Sequence, residues 1–121
     1  KIARPDLPVV CVIGDGCFQM TCGELTVARR LGLALPVVVL DDRWLSLIKV
    51  KQEKRDFLPY GTPTLPPTDQ APPEHYFGVP AIGVRDPASL ERELRKAFAA
   101  SGPTVIEAAV DPAHYSETVY D

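Results

Sequence analysis

Val9-Val10-Cys11-Val12-Ile13-Gly14-Asp15-Gly16 is a β-branched apolar run that ends abruptly in a carboxylate set between two glycines. The pattern returns at Val37-Val38-Val39-Leu40-Asp41-Asp42, where the carboxylate is doubled. Short runs that are apolar at every position suit strands buried on both faces of a parallel sheet. Between them Leu25, Ala28 and Leu31 recur at helical spacing. Strand, helix and strand in succession predict two neighbouring parallel strands whose C-terminal ends lie side by side. Both acidic clusters then fall at the end of the sheet beyond which open α/β proteins bind their ligands.

Thr21-Cys22-Gly23-Glu24 has the capping-box pattern and predicts a helix from Thr21 to about Leu33. Arg29 and Arg30 suit its C-terminus, and Gly32 its stop. After the second strand, Arg43–Gln52 reads as a short helix. From Leu58 to Pro73 six prolines (Pro59, Pro63, Pro66, Pro67, Pro72 and Pro73) predict a long extended loop. His75–Gly78 reads as a helical turn and Ala81–Val84 as a third strand. Asp86 is an N-cap with Pro87 at the first helical position. Leu90, Leu94, Ala97 and Phe98 form that helix's inward stripe, and Glu91–Arg95 an outer ion pair. Gly102-Pro103 ends it, Thr104–Val110 is a fourth strand, and the polar tail Asp111–Asp121 packs on the surface or on a missing neighbour. The expected fold class is α/β, a mainly parallel sheet with helices on both faces.

Composition narrows the function. The 121 residues suffice for one domain, with 45% hydrophobic and 24% charged residues. A net charge of -3 gives no reason to expect nucleic acid or an anionic membrane surface. No apolar run approaches the roughly 20 residues of a membrane span. The opening Lys1-Ile2-Ala3-Arg4-Pro5-Asp6 has no signal-peptide core and reads like the middle of a longer sequence. Three cysteines without a C-x-x-C pair argue for reduced thiols in a cytoplasmic protein and against structural zinc.

Mg²⁺ takes oxygen ligands in near-octahedral geometry, commonly one or two carboxylates completed by phosphate and water. Asp15 and Asp42 offer the two carboxylates. Gly14 and Gly16 would let the backbone turn and approach a phosphate, with N–H groups near Gly16 and Cys17 meeting the anion.

Gly14-Asp15-Gly16, followed by a spacer and an acidic pair after an apolar strand, resembles the motif of thiamine diphosphate-dependent enzymes. In that family Gly-Asp-Gly is followed, after a spacer of comparable length, usually by Asn-Asn. Gly14-Asp15-Gly16-Cys17-Phe18-Gln19-Met20-Thr21, Glu24-Leu25 and the tail Pro103-Thr104-Val105-Ile106-Glu107 through Val110-Asp111-Pro112 are similar to the acetolactate synthase branch. The resemblance implies Mg²⁺ ligands at the Asp15 and Asp42 side chains and the Trp44 carbonyl. It implies diphosphate contacts from Gly14, Gly16 and Cys17, Met20 near the cofactor rings, and Leu47 facing substrate. It further implies a 2-keto acid substrate, decarboxylation or carboligation, and a homodimeric or homotetrameric parent. The family's activating Glu belongs to another domain, so the 121 residues are expected to form a C-terminal thiamine diphosphate-binding domain, partial and inactive alone. The sequence departs from the pattern at Asp41-Asp42, at Arg43 where Gly is usual, and at Lys51 where biosynthetic acetolactate synthases usually carry Trp.

Other readings stay open. A receiver-type phosphoacceptor domain also holds Mg²⁺ with aspartates at strand ends, though there the acidic pair comes first. An α/β fragment without ligand is the third reading. Asp41-Asp42 also suits a helix cap, and Thr21 and Glu24 suit capping rather than catalysis. Cys17 could be a reactive thiol, but no His is near it in sequence. His75 and His114 read as surface residues, and Lys49, Lys51, Lys54 and Arg55 as a solvated face.

Overall fold

The computed structural model describes residues 1–64 and 72–118. Cys11–Gly14 forms β1, and the chain passes directly into helix α1, Asp15–Thr21. Gly14 is the N-cap in an extended conformation, so the helix starts six residues before the expected Thr21. The capping box does not form. The Thr21 hydroxyl instead donates to the Cys17 carbonyl at 3.0 Å, inside the first helix. A single 3-10 turn, Cys22–Glu24, separates α1 from α2, Leu25–Arg30.

Gly32, at φ +59, ends α2 as expected. Leu33 N–H donates to the Ala28 carbonyl and Gly32 N–H to the Arg29 carbonyl, the bond pair of a Schellman cap. That early stop leaves Leu31 beyond the helix and exposed, whereas Leu25 and Ala28 are buried as predicted.

The remaining elements are β2 (Pro36–Asp41), α3 (Ser46–Glu53), β3 (His75–Tyr76), β4 (Val79–Val84), α4 (Pro87–Ala99), β5 (Thr104–Ala109) and α5 (Tyr115–Thr118). The sheet order is β1-β2-β5-β4-β3. All neighbouring pairs are parallel except the β3–β4 hairpin. His75–Gly78 is therefore a strand and turn, not a helical turn. Phe77 and Gly78 both have positive φ, which a two-residue type I′ hairpin requires. Of the proline-rich stretch, residues 65–71 lie outside the described residues. Residues 58–64 carry no helix or strand, only an isolated bridge from Pro63 to Trp44.

Period-two alternation divides the central strands between two cores. Val37, Val39, Val79 and Val105 pack with Phe18 and Leu25 under α1 and α2. Val38, Val84, Ile106 and Ala108 pack with Ala97 of α4 on the other face. The mainly parallel sheet thus carries helices on both faces. Asp86 caps α4 by accepting from Ser89 N–H at 2.8 Å, and Glu91 pairs with Arg95 as expected. The inward stripe is rotated from the predicted one. Ser89, Glu93 and Ala97 are buried, Leu90 and Leu94 half-buried against the same core as expected, and Phe98 exposed.

A Cβ at Gly78 would lie 2.9 Å from the Arg29 guanidinium, in a backbone conformation that L-residues avoid. Gly78→Ala is expected to cost about 1–2 kcal/mol, mostly from φ since the arginine can swing aside. Gly102→Ala, whose Cβ meets open space, should leave the urea midpoint unchanged or slightly raised and serves as the control.

Candidate functional site

Asp15 opens α1 and Asp41 closes β2. The β1–β2 register, with Gly14 opposite Leu40, sets the two aspartates on adjacent strand ends. Asp15 Oδ1 accepts the N–H of Gly16 at 2.8 Å, and Oδ2 accepts the Thr64 hydroxyl at 2.5 Å. Burial pushes the Asp15 carboxyl above its ordinary value. The bonds from Thr64 and Gly16 oppose that rise, while the negative charges of Asp42 and Asp41 add to it.

Asp42 forms an Asx turn leading into α3. Its Oδ1 accepts the Trp44 N–H at 2.9 Å and its Oδ2 the Ser46 hydroxyl at 2.6 Å. Asp41, 8% exposed, accepts the Arg43 N–H at 2.9 Å on Oδ1, and the Arg43 Nε lies 3.9 Å from its Oδ2. Arg43 itself adopts φ +68.

Thr62–Thr64 straps across this turn. Leu45 N–H donates to the Thr62 carbonyl at 2.7 Å, and Thr64 N–H to the Arg43 carbonyl at 2.9 Å. Gln19 holds the Thr64 carbonyl from α1 at 2.8 Å. The strap thereby brings Thr64 to Asp15. No local sequence pattern announces this contact, because it joins positions 49 residues apart.

Glu107 was also missed, although an acid inside the buried run Thr104–Ala109 is a legible anomaly. It is 7% exposed and accepts the Tyr76 hydroxyl. The Tyr76 ring stands edge-on to Phe18, with centroids 5.1 Å apart. Burial raises the Glu107 carboxyl, and Asp41 raises it further, against the bond from Tyr76 and the charge of Arg43. Tyr115 of α5 approaches from the tail. Burial, then the charge of Asp42 and a hydrogen bond to it, push its phenol up.

The structure gathers Gly14, Asp15, Gly16, Asp42 and Trp44 at one end of the sheet. Cys17 is exposed on α1, Met20 is 79% exposed one turn later, and Leu47 is 57% exposed on α3. Trp44 is half-buried with the Lys49 ammonium 5.1 Å from its ring centroid, so Lys49 is not simply solvated. In place of the tight turn expected at Gly14 and Gly16, α1 starts directly at Asp15, with Gly14 extended at φ -77. A Cβ on Gly14 would meet nothing, whereas one on Gly16 would lie 2.5 Å from Leu45 Cδ2.

The chemistry of the donors fits Mg²⁺. The Asp15 and Asp42 carboxylates and the Trp44 carbonyl are hard oxygens, too few to complete an octahedron without phosphate or water. Among the described residues no group of three or more His, Cys, Asp or Glu converges to hold a metal unaided. The Gly16 N–H is held by Asp15, so a phosphate meeting it must exchange that bond.

Residues 1–108 match the family described as thiamine pyrophosphate enzyme, C-terminal TPP binding domain. The chain belongs to that family. It is 30% identical over 117 residues to the acetolactate synthase of Arthrospira platensis, covering 91% of this chain and 19% of that protein. It is 33% identical over 125 residues to the acetolactate synthase large subunit of Haemophilus influenzae, covering 99% and 21%. The chain thus spans about a fifth of the length of these relatives.

Among solved structures, benzoylformate decarboxylase from Polynucleobacter necessarius superposes with a TM-score of 0.74 at 20% identity, over 90% of this chain and 20% of that one. The thiamine diphosphate-dependent 4-hydroxybenzoylformate decarboxylase of Rhodococcus jostii RHA1 gives 0.77 at 22% identity, over 91% and 21%. At these identities the likeness establishes the shared fold. These findings do not favour the receiver-type reading. Among the described residues no helix is long and apolar enough to cross a membrane.

Because Glu107 titrates above its ordinary 4.5, the folded state takes up its proton first as pH falls. Its ionised form therefore costs stability at neutral pH, and that cost fades as pH falls through the folded value towards the unfolded one. Glu107→Gln keeps an acceptor for Tyr76 and is expected to match or exceed the parent's urea midpoint at pH 7. The gap between variant and parent should close as the buffer is taken down to about pH 4.5.

Proposed function

We propose that this chain holds the metal and diphosphate half of a thiamine diphosphate site in an acetolactate-synthase-like enzyme. The observation that carries the reading is the pairing of Asp15 and Asp42. They stand at the ends of adjacent parallel strands, beside an open Gly14, in a chain whose family is defined by binding this cofactor. In this reading Asp15, Asp42 and the Trp44 carbonyl hold Mg²⁺. Gly14, Gly16 and Cys17 border the diphosphate, and the exposed Met20 faces the cofactor rings.

Charge decides the order of events. Unit charges about 4 Å apart at an effective dielectric near 20 interact by roughly 4 kcal/mol. A bare diphosphate beside Asp15, Asp41 and Asp42 is therefore repelled, and Mg²⁺ must offset the clash. Binding of the diphosphate is accordingly more metal-dependent than it would be beside an amide pair.

Thiamine diphosphate supplies a thiazolium ring that accepts the electron pair left when a 2-keto acid loses CO₂. The chain's own residues bind and orient the cofactor, and Thr64 and Ser46 hold the two liganding carboxylates in place. The activating Glu lies outside these 121 residues, which make up a C-terminal binding domain of a cytoplasmic homodimer or homotetramer. The parent's substrate is a 2-keto acid that it decarboxylates or carboligates.

Calorimetry with Mg²⁺ and thiamine diphosphate tests the assignment on the parent enzyme. Asp15→Ala and Asp42→Ala should each weaken cofactor binding by at least about 10-fold, because loss of groups that merely support a metal ligand already costs that much. Cofactor binding unaffected by either substitution would remove both residues from the site. The 121-residue chain by itself should turn over no pyruvate, and measurable turnover would overturn the placement of the activating group elsewhere.

A further inference from the structure

Asp15, Asp41, Asp42 and Glu107 lie towards the carboxyl end of this sheet. Asp15 feels Asp42 and Asp41, and Glu107 feels Asp41 and Asp15. Asp41 and Glu107 are both buried. Arg43 is the cation set among them. Its backbone N–H donates to one oxygen of Asp41 at 2.9 Å, and its side-chain Nε stands 3.9 Å from the other. Its charge also reaches Glu107. The residue does this from φ +68, a conformation that costs a non-glycine residue about 1 kcal/mol and that glycine adopts freely. A backbone held there in spite of its side chain points to work done by that side chain.

We propose that Arg43 is a built-in counter-cation of the acidic turn. It is a positioning residue whose guanidinium offsets the charge of the buried Asp41 side chain and, by occupying part of the local negative field, weakens the hold of the turn on a divalent ion when no diphosphate is present. The second half rests on the metal reading above; the first does not.

A double-mutant cycle in urea, without metal, tests the first half on the full chain. Asp41→Asn keeps the acceptor for the Arg43 N–H and removes only the charge. Arg43→Gly relieves the backbone and removes the cation. If Arg43 offsets Asp41, Arg43→Gly lowers the folding constant of the parent at least threefold more than it does in the Asp41→Asn background. Additivity within threefold overturns the proposal.

Titration with Mn²⁺ alone, followed by electron paramagnetic resonance, reads the second half. Arg43→Gly should bind the ion severalfold more tightly than the parent, while Arg43→Lys stays near the parent. Equal or weaker binding by Arg43→Gly overturns that half. Failure of every variant to take up Mn²⁺, even with thiamine diphosphate added, would remove the metal reading of the site, and the urea cycle would still decide the role of Arg43.

Discussion

Three aspartates crowd the ends of two adjacent strands, and the local structure is organised around holding them there. Like charges at such spacing repel, and partial burial magnifies the repulsion. Each carboxylate is therefore held by donors drawn from a different part of the chain. Asp15 takes Thr64 from the strap, Asp42 takes Ser46 from the first turn of α3, and Asp41 takes Arg43 from the turn itself. The parallel register of β1 and β2 fixes the spacing.

Much of this was legible in the sequence because apolar runs and their terminators are local signals. The second valine-rich strand, the stop at Gly32, the Asp86–Pro87 start of α4 and the strand after Gly102-Pro103 all lie where patterning puts them, whereas β1 starts only at Cys11 and is half-exposed rather than buried on both faces. Errors fell where a local rule lost to its neighbours. Thr21 and Glu24 match a capping box, yet the helix begins at Asp15, directly on leaving the sheet, and Thr21 ends up in its last turn. His75–Gly78 carries no strand pattern; two successive left-handed residues make it a hairpin. In the site, Asp15 and Asp42 could be read from motif and spacing. Thr64, Tyr76 and Tyr115 could not, because their relation to the aspartates exists only after the chain has folded.

The family explains why an incomplete ligand set is chemically sensible. A turn that bound its metal with protein groups alone would have little use for the cofactor's phosphates. In the proposed reading the turn supplies two carboxylates and a carbonyl, which leaves coordination positions for those phosphates and for water. On that reading the acidic pair Asp41-Asp42 would do more than add a ligand, since it would also set how much charge must be compensated before an anion can approach.

β1 is four residues long and pairs with only one strand, β2, among those described. One of its apolar side chains, Val12, is 60% exposed. A short edge strand of this kind opens at low free-energy cost relative to the sheet centre. Yet Asp15 follows it directly, while Asp42 follows the central β2. A ligand that bridges the two would tie the weakest strand to one of the strongest and would shield the amides of β1 from hydrogen exchange well before it altered the exchange of β5.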